Sequence, residues 1–248
     1  MAFANELADR AAEIGMRWFH DAGLEVLQKA DLTPVTQTDT EIEALVRRLV
    51  SERFPGDSVL GEEEGGKDAG GRVWIVDPID ATANFARGIQ VWGTLIALRV
   101  DGDLSLGIVS APALGERYEA VRGEGARLNG HPAHVSSVAT IAGSQVLYAG
   151  METWLREPRR EGVLGTIRDA ARTRAFGDFW GHMLVARGAA EVMVEPELRV
   201  WDYAAVQVIA EEAGGRITTL DGRPTYDGGG VLTTNGLVHD EVVARLRG

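Results

Sequence analysis

Asp77 and Asp80 stand three residues apart in Trp74-Ile-Val-Asp-Pro-Ile-Asp-Ala-Thr-Ala-Asn-Phe-Ala-Arg-Gly88, directly after an apolar run. Trp74, Ile75 and Val76 predict the end of a buried strand. Pro78 has no N–H to donate, so the ladder is expected to stop there, in an aspartate-proline turn that opens toward a short helix. Two carboxylates and a helix start would then meet at the carboxyl end of a strand, where α/β sheets usually place ligands. Carboxylates bind hard divalent cations, and the free N–H groups of a helix start bind phosphate. The segment therefore points to metal-assisted phosphate chemistry.

Three other acidic positions bear on the same chemistry. Glu62 and Glu63, in Gly61-Glu-Glu-Glu-Gly-Gly66, follow the apolar Val59-Leu60 and should lie at another strand end. Asp202 follows Trp201 and precedes a strongly patterned helix that it could N-cap. Asp39 opens a helix after Pro34-Val-Thr-Gln-Thr38. Each has a structural alternative, since aspartate often caps helices and three glutamates in a row suit a solvated loop. His182 falls within a helical pattern, where packing or hydrogen bonding is a better expectation than ligation.

These positions need a scaffold. Leu7, Ala11, Ile14 and Trp18 predict a helix over residues 3–22, and Ile42, Leu45, Val46, Leu49 and Val50 another, ended by Pro55-Gly56. Strands are predicted at 58–60, 73–76, 94–100 and 106–110, then a hairpin over 118–122 and 126–128. The second half alternates: strand 144–148, helix 161–171, strand 174–176, helix 179–187, strand 190–194, helix 203–213, strands 216–219 and 231–234, and a last helix from His239. Without a long linker, repeat or low-complexity tract, this reads as one layered α/β domain over 1–248. Its halves, about 1–140 with the metal site and about 141–248 with the substrate wall, would share a cleft.

Composition narrows the function further. With 45% hydrophobic residues and 31 glycines, a sizeable core with many tight turns is expected. A net charge of −12 opposes binding to a phosphate backbone, so no nucleic-acid partner is expected. The absence of cysteine excludes disulfides, thiol nucleophiles and cysteine-bearing zinc sites. The five histidines form no HExxH pattern, and His131 and His134 are expected in a surface loop. An N-terminus carrying Glu6 and Asp9, and no apolar run long enough for a membrane, predict a cytoplasmic protein without a membrane partner.

Taken in order, Pro34-Val-Thr-x-Thr-Asp39, Gly61-Glu-Glu, Asp77-Pro-Ile-Asp-x-Thr82 and Trp201-Asp202-x-Ala-Ala205 resemble the inositol monophosphatase family of magnesium-dependent, lithium-sensitive phosphatases. Glu-Ala-Gly-Gly-Arg216 and Thr234-Asn-Gly236 extend the resemblance through nearly the whole chain. It implies the layered αβαβα sandwich of the inositol monophosphatase and fructose-1,6-bisphosphatase type, a small phosphate monoester as partner, and a homodimer. It implies two to three Mg²⁺ ions: one on Glu62, Asp77 and the carbonyl of Ile79, a second on Asp77, Asp80 and Asp202, and a weaker third near Glu62. Thr82, paired with Asp39, would orient the attacking water, and the N–H groups of Ala81 and Thr82 would meet the phosphate. No covalent phospho-enzyme is implied.

One position departs from the family pattern: Ala81 stands where glycine is usual. If that position needs φ > 0, the methyl costs roughly 1 kcal/mol. The substrate wall departs from inositol enzymes as well. Asp178 in Gly177-Asp-Phe-Trp180, Glu195, and the Asn84-Phe-Ala-Arg-Gly88 ending resemble the histidinol-phosphatase branch. The ammonium of histidinol phosphate would suit Asp178 and Glu195, with Arg87 near the cleft mouth. An inositol or other sugar phosphate is the alternative substrate. A non-catalytic family member is the other reading, opposed by the intact set of acidic positions. Asp178 has a competing reading as the cap of the helix that follows it.

Overall fold

The computed structural model describes residues 1–29, 33–66, 70–224 and 229–248. Along the chain run α1 (Ala2–Trp18), β1 (Val26–Gln28), β2 (Pro34–Thr36), α2 (Gln37–Arg53), β3 (Ser58–Gly61), β4 (Arg72–Asp80), α3 (Thr82–Ala86), β5 (Gly93–Val100), β6 (Asp103–Ala111), β7 (Glu116–Val121), β8 (Gly125–Leu128) and β9 (His131–Ala133). The second half adds β10 (Gln145–Tyr148), α4 (Met151–Trp154), α5 (Arg160–Asp169), β11 (Arg172–Arg174), α6 (Asp178–Ala186), β12 (Val192–Leu198), α7 (Val200–Glu212), β13 (Arg216–Thr219), β14 (Gly229–Thr234) and α8 (His239–Arg247).

Five layers result. The large sheet runs β3-β4-β5-β6-β7-β8-β9, antiparallel except for the parallel pair β3/β4. The smaller runs β11-β10-β12-β14-β13, with β10 parallel to both of its neighbours. β4 is buried on both faces, so its apolar run does not alternate with polar residues. Trp74 and Val76 pack with Leu7, Ala11, Ile42 and Val46 of α1 and α2, while Val73 and Ile75 join Phe179, Tyr203 and Ile209 of α6 and α7. α6 and α7 thus lie between the sheets. On the far face of the small sheet, α5 and α8 pack Val163 and Val242 against Val146, Val192 and Leu232. This is the expected αβαβα order. Gly107 lets α7 approach β6, because a Cβ there would collide with the carbonyl of Ala205.

Several sequence expectations need correction. Pro78 does not end its strand: β4 continues to Asp80, and the register shifts between Asp77 and Asp80. A bulge tolerates the missing N–H, and the carbonyl of Pro78 accepts the Thr94 hydroxyl at 2.8 Å. β12 likewise runs on past Val194 to Leu198, with a shift between Glu195 and Leu198. The strand expected at 174–176 lies at Arg172–Arg174, where pairing with Gln145–Leu147 sets it. His131 and Pro132 belong to an exposed edge strand rather than a loop. α1 stops at Trp18, short of residue 22. The β1/β2 hairpin and α4 had no sequence signal. Among the described residues, no helix is long and apolar enough to cross a membrane.

Candidate active site

Every carboxylate singled out from the sequence except Asp39 and Glu63 lines one cleft of about 200 Å³. Glu62, Asp77, Asp80, Asp178, Glu195 and Asp202 share it with Ile79, Ala81 and Thr82. Two bulges border it. In β12 Glu195 still pairs in register with Val231 and the irregularity comes after it, whereas in β4 the irregularity lets Asp77 and Asp80 both line the cleft. Bulges re-aim side chains in this way where a regular pleat would alternate them.

The two helix-opening aspartates cap differently from expectation. Neither is an N-cap. Thr36 caps α2, and Asp39 is its third residue, accepting the Thr36 backbone N–H at 2.8 Å and its hydroxyl at 2.6 Å through Oδ2. Asp202 is the third residue of α7 and accepts the Arg199 N–H at 2.6 Å. Each of these contacts uses one carboxylate oxygen and fixes the side chain, reciprocally with the Thr36 hydroxyl only in α2. Oδ1 of Asp39 then faces Thr82, whose Oγ1 lies 3.2 Å away and 2.8 Å from the Ile79 carbonyl.

Charge is crowded here. Asp77 is 1% exposed and its Oδ1 has no hydrogen-bond partner, an orphaned buried acceptor. Burial first, then Glu62, Asp80 and Asp202, push its carboxyl well above the ordinary range. Asp80 is raised by burial and by Asp178 and Asp202, and the Phe179 N–H at 2.7 Å opposes the shift. Burial and Glu195 lift Asp178 to about 7, and burial with Glu62 and Glu195 lifts Asp202 to about 7. Asp39 is raised to about 6, mainly by burial. Several acidic groups held together at neutral pH favour a bound cation.

The donor set suits one. All its atoms are oxygens, as hard divalent cations prefer. The ammonium of Lys29 already acts as a cation on this rim, 2.7 Å from both Glu62 Oε1 and Glu63 Oε1. Burial would lower its pKa, and the two glutamates raise it instead. The carboxylates are not closed around one point, however. Among the described residues no group of three or more acidic or histidine side chains forms a finished metal cluster. A cation would have to draw them together.

Two residues of the cleft also have left-handed backbone. Ala81 has φ 64° and ψ 45°, and Asp178 has φ 56°, both left-handed. The family's usual glycine at position 81 thereby gains a physical reason. Asp178 makes no side-chain cap on α6, which removes the competing reading of its role. Its conformation leads into the Phe179 N–H that holds Asp80. Asp178 also lines an adjoining cavity of about 380 Å³ with Asn84, Ile89, Phe176 and Trp180. The two aromatic rings lie 4.9 Å apart, and Glu116 accepts the Trp180 indole N–H at 3.3 Å. Arg87 is exposed, donates to the Ala83 carbonyl at 3.3 Å, and lines neither cavity.

Sequence reasoning missed Lys29, and it missed Glu43. Glu43 is fully buried on α2 and accepts the backbone N–H groups of Glu63 at 2.8 Å and Glu64 at 3.1 Å. Arg47, one helical turn on, grips the same carboxylate at 2.9 and 2.6 Å. The pair fixes the loop that carries Glu62. Gly61 makes room for it, since a Cβ there would collide with the Glu43 carboxylate. A glutamate amid the apolar stripe Ile42-x-x-Leu45-Val46 was the available signal.

Known proteins with this arrangement agree in family. The inositol monophosphatase family model matches residues 1–248. A histidinol-phosphatase of Mycobacterium tuberculosis is 46% identical over 252 aligned residues, covering 99% of this chain and 97% of the relative. One from Streptomyces coelicolor is 43% identical, covering 99% and 96%. Among solved structures, an IMPase of Thermotoga maritima superposes with a TM-score of 0.89 at 28% identity, over 99% of this chain and 96% of its own.

Proposed function

The chain belongs to the inositol monophosphatase family and is a phosphoric monoester hydrolase, and on that premise we propose that it hydrolyses histidinol phosphate to histidinol and phosphate. The observation that carries the substrate is the position of Asp178 and Glu195. Both line the acidic cleft with Asp77, Asp80 and Asp202, and Asp178 also borders the adjoining cavity, where this reading places the ester's alcohol. An inositol ring offers hydroxyls and no positive charge, whereas the amino group of histidinol gives these carboxylates a charged partner. The adjoining cavity, with Phe176, Trp180 and Asn84, has the flat faces and polar group that suit an imidazole. The identity to two histidinol-phosphatases supports the same reading.

Under this proposal Glu62, Asp77, the Ile79 carbonyl, Asp80 and Asp202 hold Mg²⁺, in two to three ions. Such ions, when bound, neutralise phosphoryl charge and acidify water. The chain's own residues orient the reactants. The Thr82 hydroxyl has one proton and two neighbouring acceptors, Asp39 and the Ile79 carbonyl. Its oxygen can accept a hydrogen bond from water; as that water gives a proton to the Thr82 oxygen, the hydroxyl's own proton passes to Asp39, whose pKa near 6 suits a base at neutral pH. Thr36 holds Asp39 still throughout. The N–H groups of Ala81 and Thr82, at the start of α3, face the phosphate in this reading.

A phosphate-release assay tests it. Histidinol phosphate, inositol 1-phosphate and a sugar phosphate are compared with Mg²⁺ present, then with Li⁺ added. Preferential, Mg²⁺-dependent and Li⁺-inhibited turnover of histidinol phosphate is expected. Faster release from inositol 1-phosphate refutes the substrate, and release unaffected by metal removal refutes the ligand set. The homodimer and the cytoplasmic location belong to the same proposal, and light scattering of the purified protein checks the first.

A further inference from the structure

Behind the substrate wall lies a polar trio buried in an otherwise apolar layer. His182 of α6 is 1% exposed, Glu195 of β12 is 7% exposed, and Thr233 of β14 is fully buried. His182 Nδ1 lies 2.7 Å from Thr233 Oγ1, and Nε2 lies 3.2 Å from Glu195 Oε2. The strand register explains the meeting. Thr233 pairs with Met193, and Glu195 follows Met193 by two residues, so all three share the sheet face that α6 covers. Leu147 and Met193 of the sheet and Leu184 and Val185 of α6 form an apolar cluster in the same layer.

The donors and acceptors allow a continuous chain. An ionised Glu195 only accepts, so Nε2 carries the hydrogen that it receives. In a neutral imidazole Nδ1 is then bare, and the Thr233 hydroxyl donates to it. This fixes both the ring's tautomer and its orientation. Glu195 has its Oε2 held by His182, while Oε1 lies 3.9 Å from where a Cβ on Gly177 would sit. Gly177 borders Asp178, so Oε1 and the Asp178 carboxylate serve the same end of the cleft.

We propose that His182 is a positioning residue that holds Glu195 for the cationic end of the substrate, and that the Thr233–His182–Glu195 chain is a determinant of selectivity for amino alcohols over neutral ones. The inference rests on the reading of Glu195 as the ammonium's partner. Buried polar groups cost stability unless mutually bonded. What the polar trio adds is a carboxylate fixed in direction.

The test compares His182→Asn with His182→Gln. The Asn amide reaches toward Thr233 and falls short of Glu195, whereas the Gln amide can donate where Nε2–H did. Each variant is assayed with histidinol phosphate and with glycerol 2-phosphate, whose alcohol is neutral. For His182→Asn, KM for histidinol phosphate should rise about tenfold relative to KM for glycerol 2-phosphate, the factor expected for one lost charge-assisted hydrogen bond. The ratio of the two kcat values should stay within about twofold. His182→Gln should return the KM ratio to near the wild-type value. Thr233→Val, nearly isosteric, should give a smaller rise in the same ratio. An unchanged ratio in His182→Asn, or an equal loss on both substrates, overturns the role. A wild-type enzyme without preference for histidinol phosphate overturns the substrate reading itself, a failure visible before any variant is made.

Discussion

Replacing Ala81 by glycine should stabilise the protein, although glycine usually destabilises. At φ 64° and ψ 45° the alanine Cβ crowds the following carbonyl, at a cost of about 1–2 kcal/mol for an L-residue in the left-handed region. Glycine removes that cost and adds about 0.5–1 kcal/mol of chain entropy to the unfolded state. The difference is a net gain of about 0.5–1 kcal/mol, or roughly 1–4 °C in Tm at this chain length. Calorimetry and urea unfolding, both in excess chelator so that bound cation does not shift the midpoint, measure it. The wild type and the variant should also share an m-value. A loss of about 0.5–1 kcal/mol, as at an ordinary right-handed position, would refute the left-handed assignment. Ala81 lines the acidic cleft, so the glycine variant also widens the approach to Asp80 and Thr82. Turnover should survive, with the larger gain on the bulkier leaving group.

Three other perturbations follow from the charges. Asp80→Asn should lose turnover while keeping its fold by circular dichroism, because the Phe179 N–H still finds an amide oxygen. Its metal-free form should melt higher than wild type at about pH 8, since one repelling charge is gone; retained turnover would sink the ligand assignment. Glu43→Gln strips the buried charge from Arg47 and should cost about 3 kcal/mol, with a higher Mg²⁺ requirement in the activity assay. An unchanged Mg²⁺ requirement would show that the Glu62 loop is held by something else. The pH dependence of the metal-free protein has an unusual sign. Asp178, Asp202 and Asp39 have folded pKa values of about 7, 7 and 6, above the unfolded 3.8. Their contribution to stability is therefore present below about pH 4 and is lost as pH rises through 6–7. Melting in chelator should fall from about pH 5 to about pH 8, and added Mg²⁺ should restore it at the higher pH. Equal stability at both values would refute the crowding.

The helices, the strands and the acidic positions were legible because each left a local mark, whereas the αβαβα order was implied by the resemblance of the motifs. Apolar spacing gave the helices, and carboxylates beside apolar runs gave the strand ends. Pro78 misled, because its missing N–H is equally compatible with a strand's end and with a bulge; only pairing with β5 across Asp77 and Asp80 distinguishes them. The same ambiguity hid the extension of β12 to Leu198. Asp202 read as a cap or a ligand and Asp39 as a cap or the partner of Thr82, and the structure gives each a capping contact on one oxygen. These readings were never exclusive, since a carboxylate has two oxygens and a capping contact holds one.

What stayed illegible was support rather than chemistry. Glu43 and His182 lie within helical patterns, where a polar residue reads as a solvated position or a tolerated flaw. Their partners are far off in sequence: the N–H groups of Glu63 and Glu64 for Glu43, and Glu195 and Thr233 for His182. Periodicity cannot name a partner across layers. Yet burying an acid or an imidazole without partners is costly, so each implies a bonded neighbour even where the sequence does not say which. In this fold the two do parallel work for two carboxylates that line one cleft. Glu43 fixes the loop of a carboxylate assigned to the metal, and His182 fixes a carboxylate assigned to the alcohol. If metal binding and alcohol selectivity are separable, Glu43→Gln should move the Mg²⁺ requirement and leave the selectivity ratio between histidinol phosphate and glycerol 2-phosphate unchanged, while His182→Asn does the reverse. The double variant should then show additive effects, as distant independent sites do. Strong non-additivity in the selectivity ratio would mean that the two are coupled through the crowded carboxylates of the cleft.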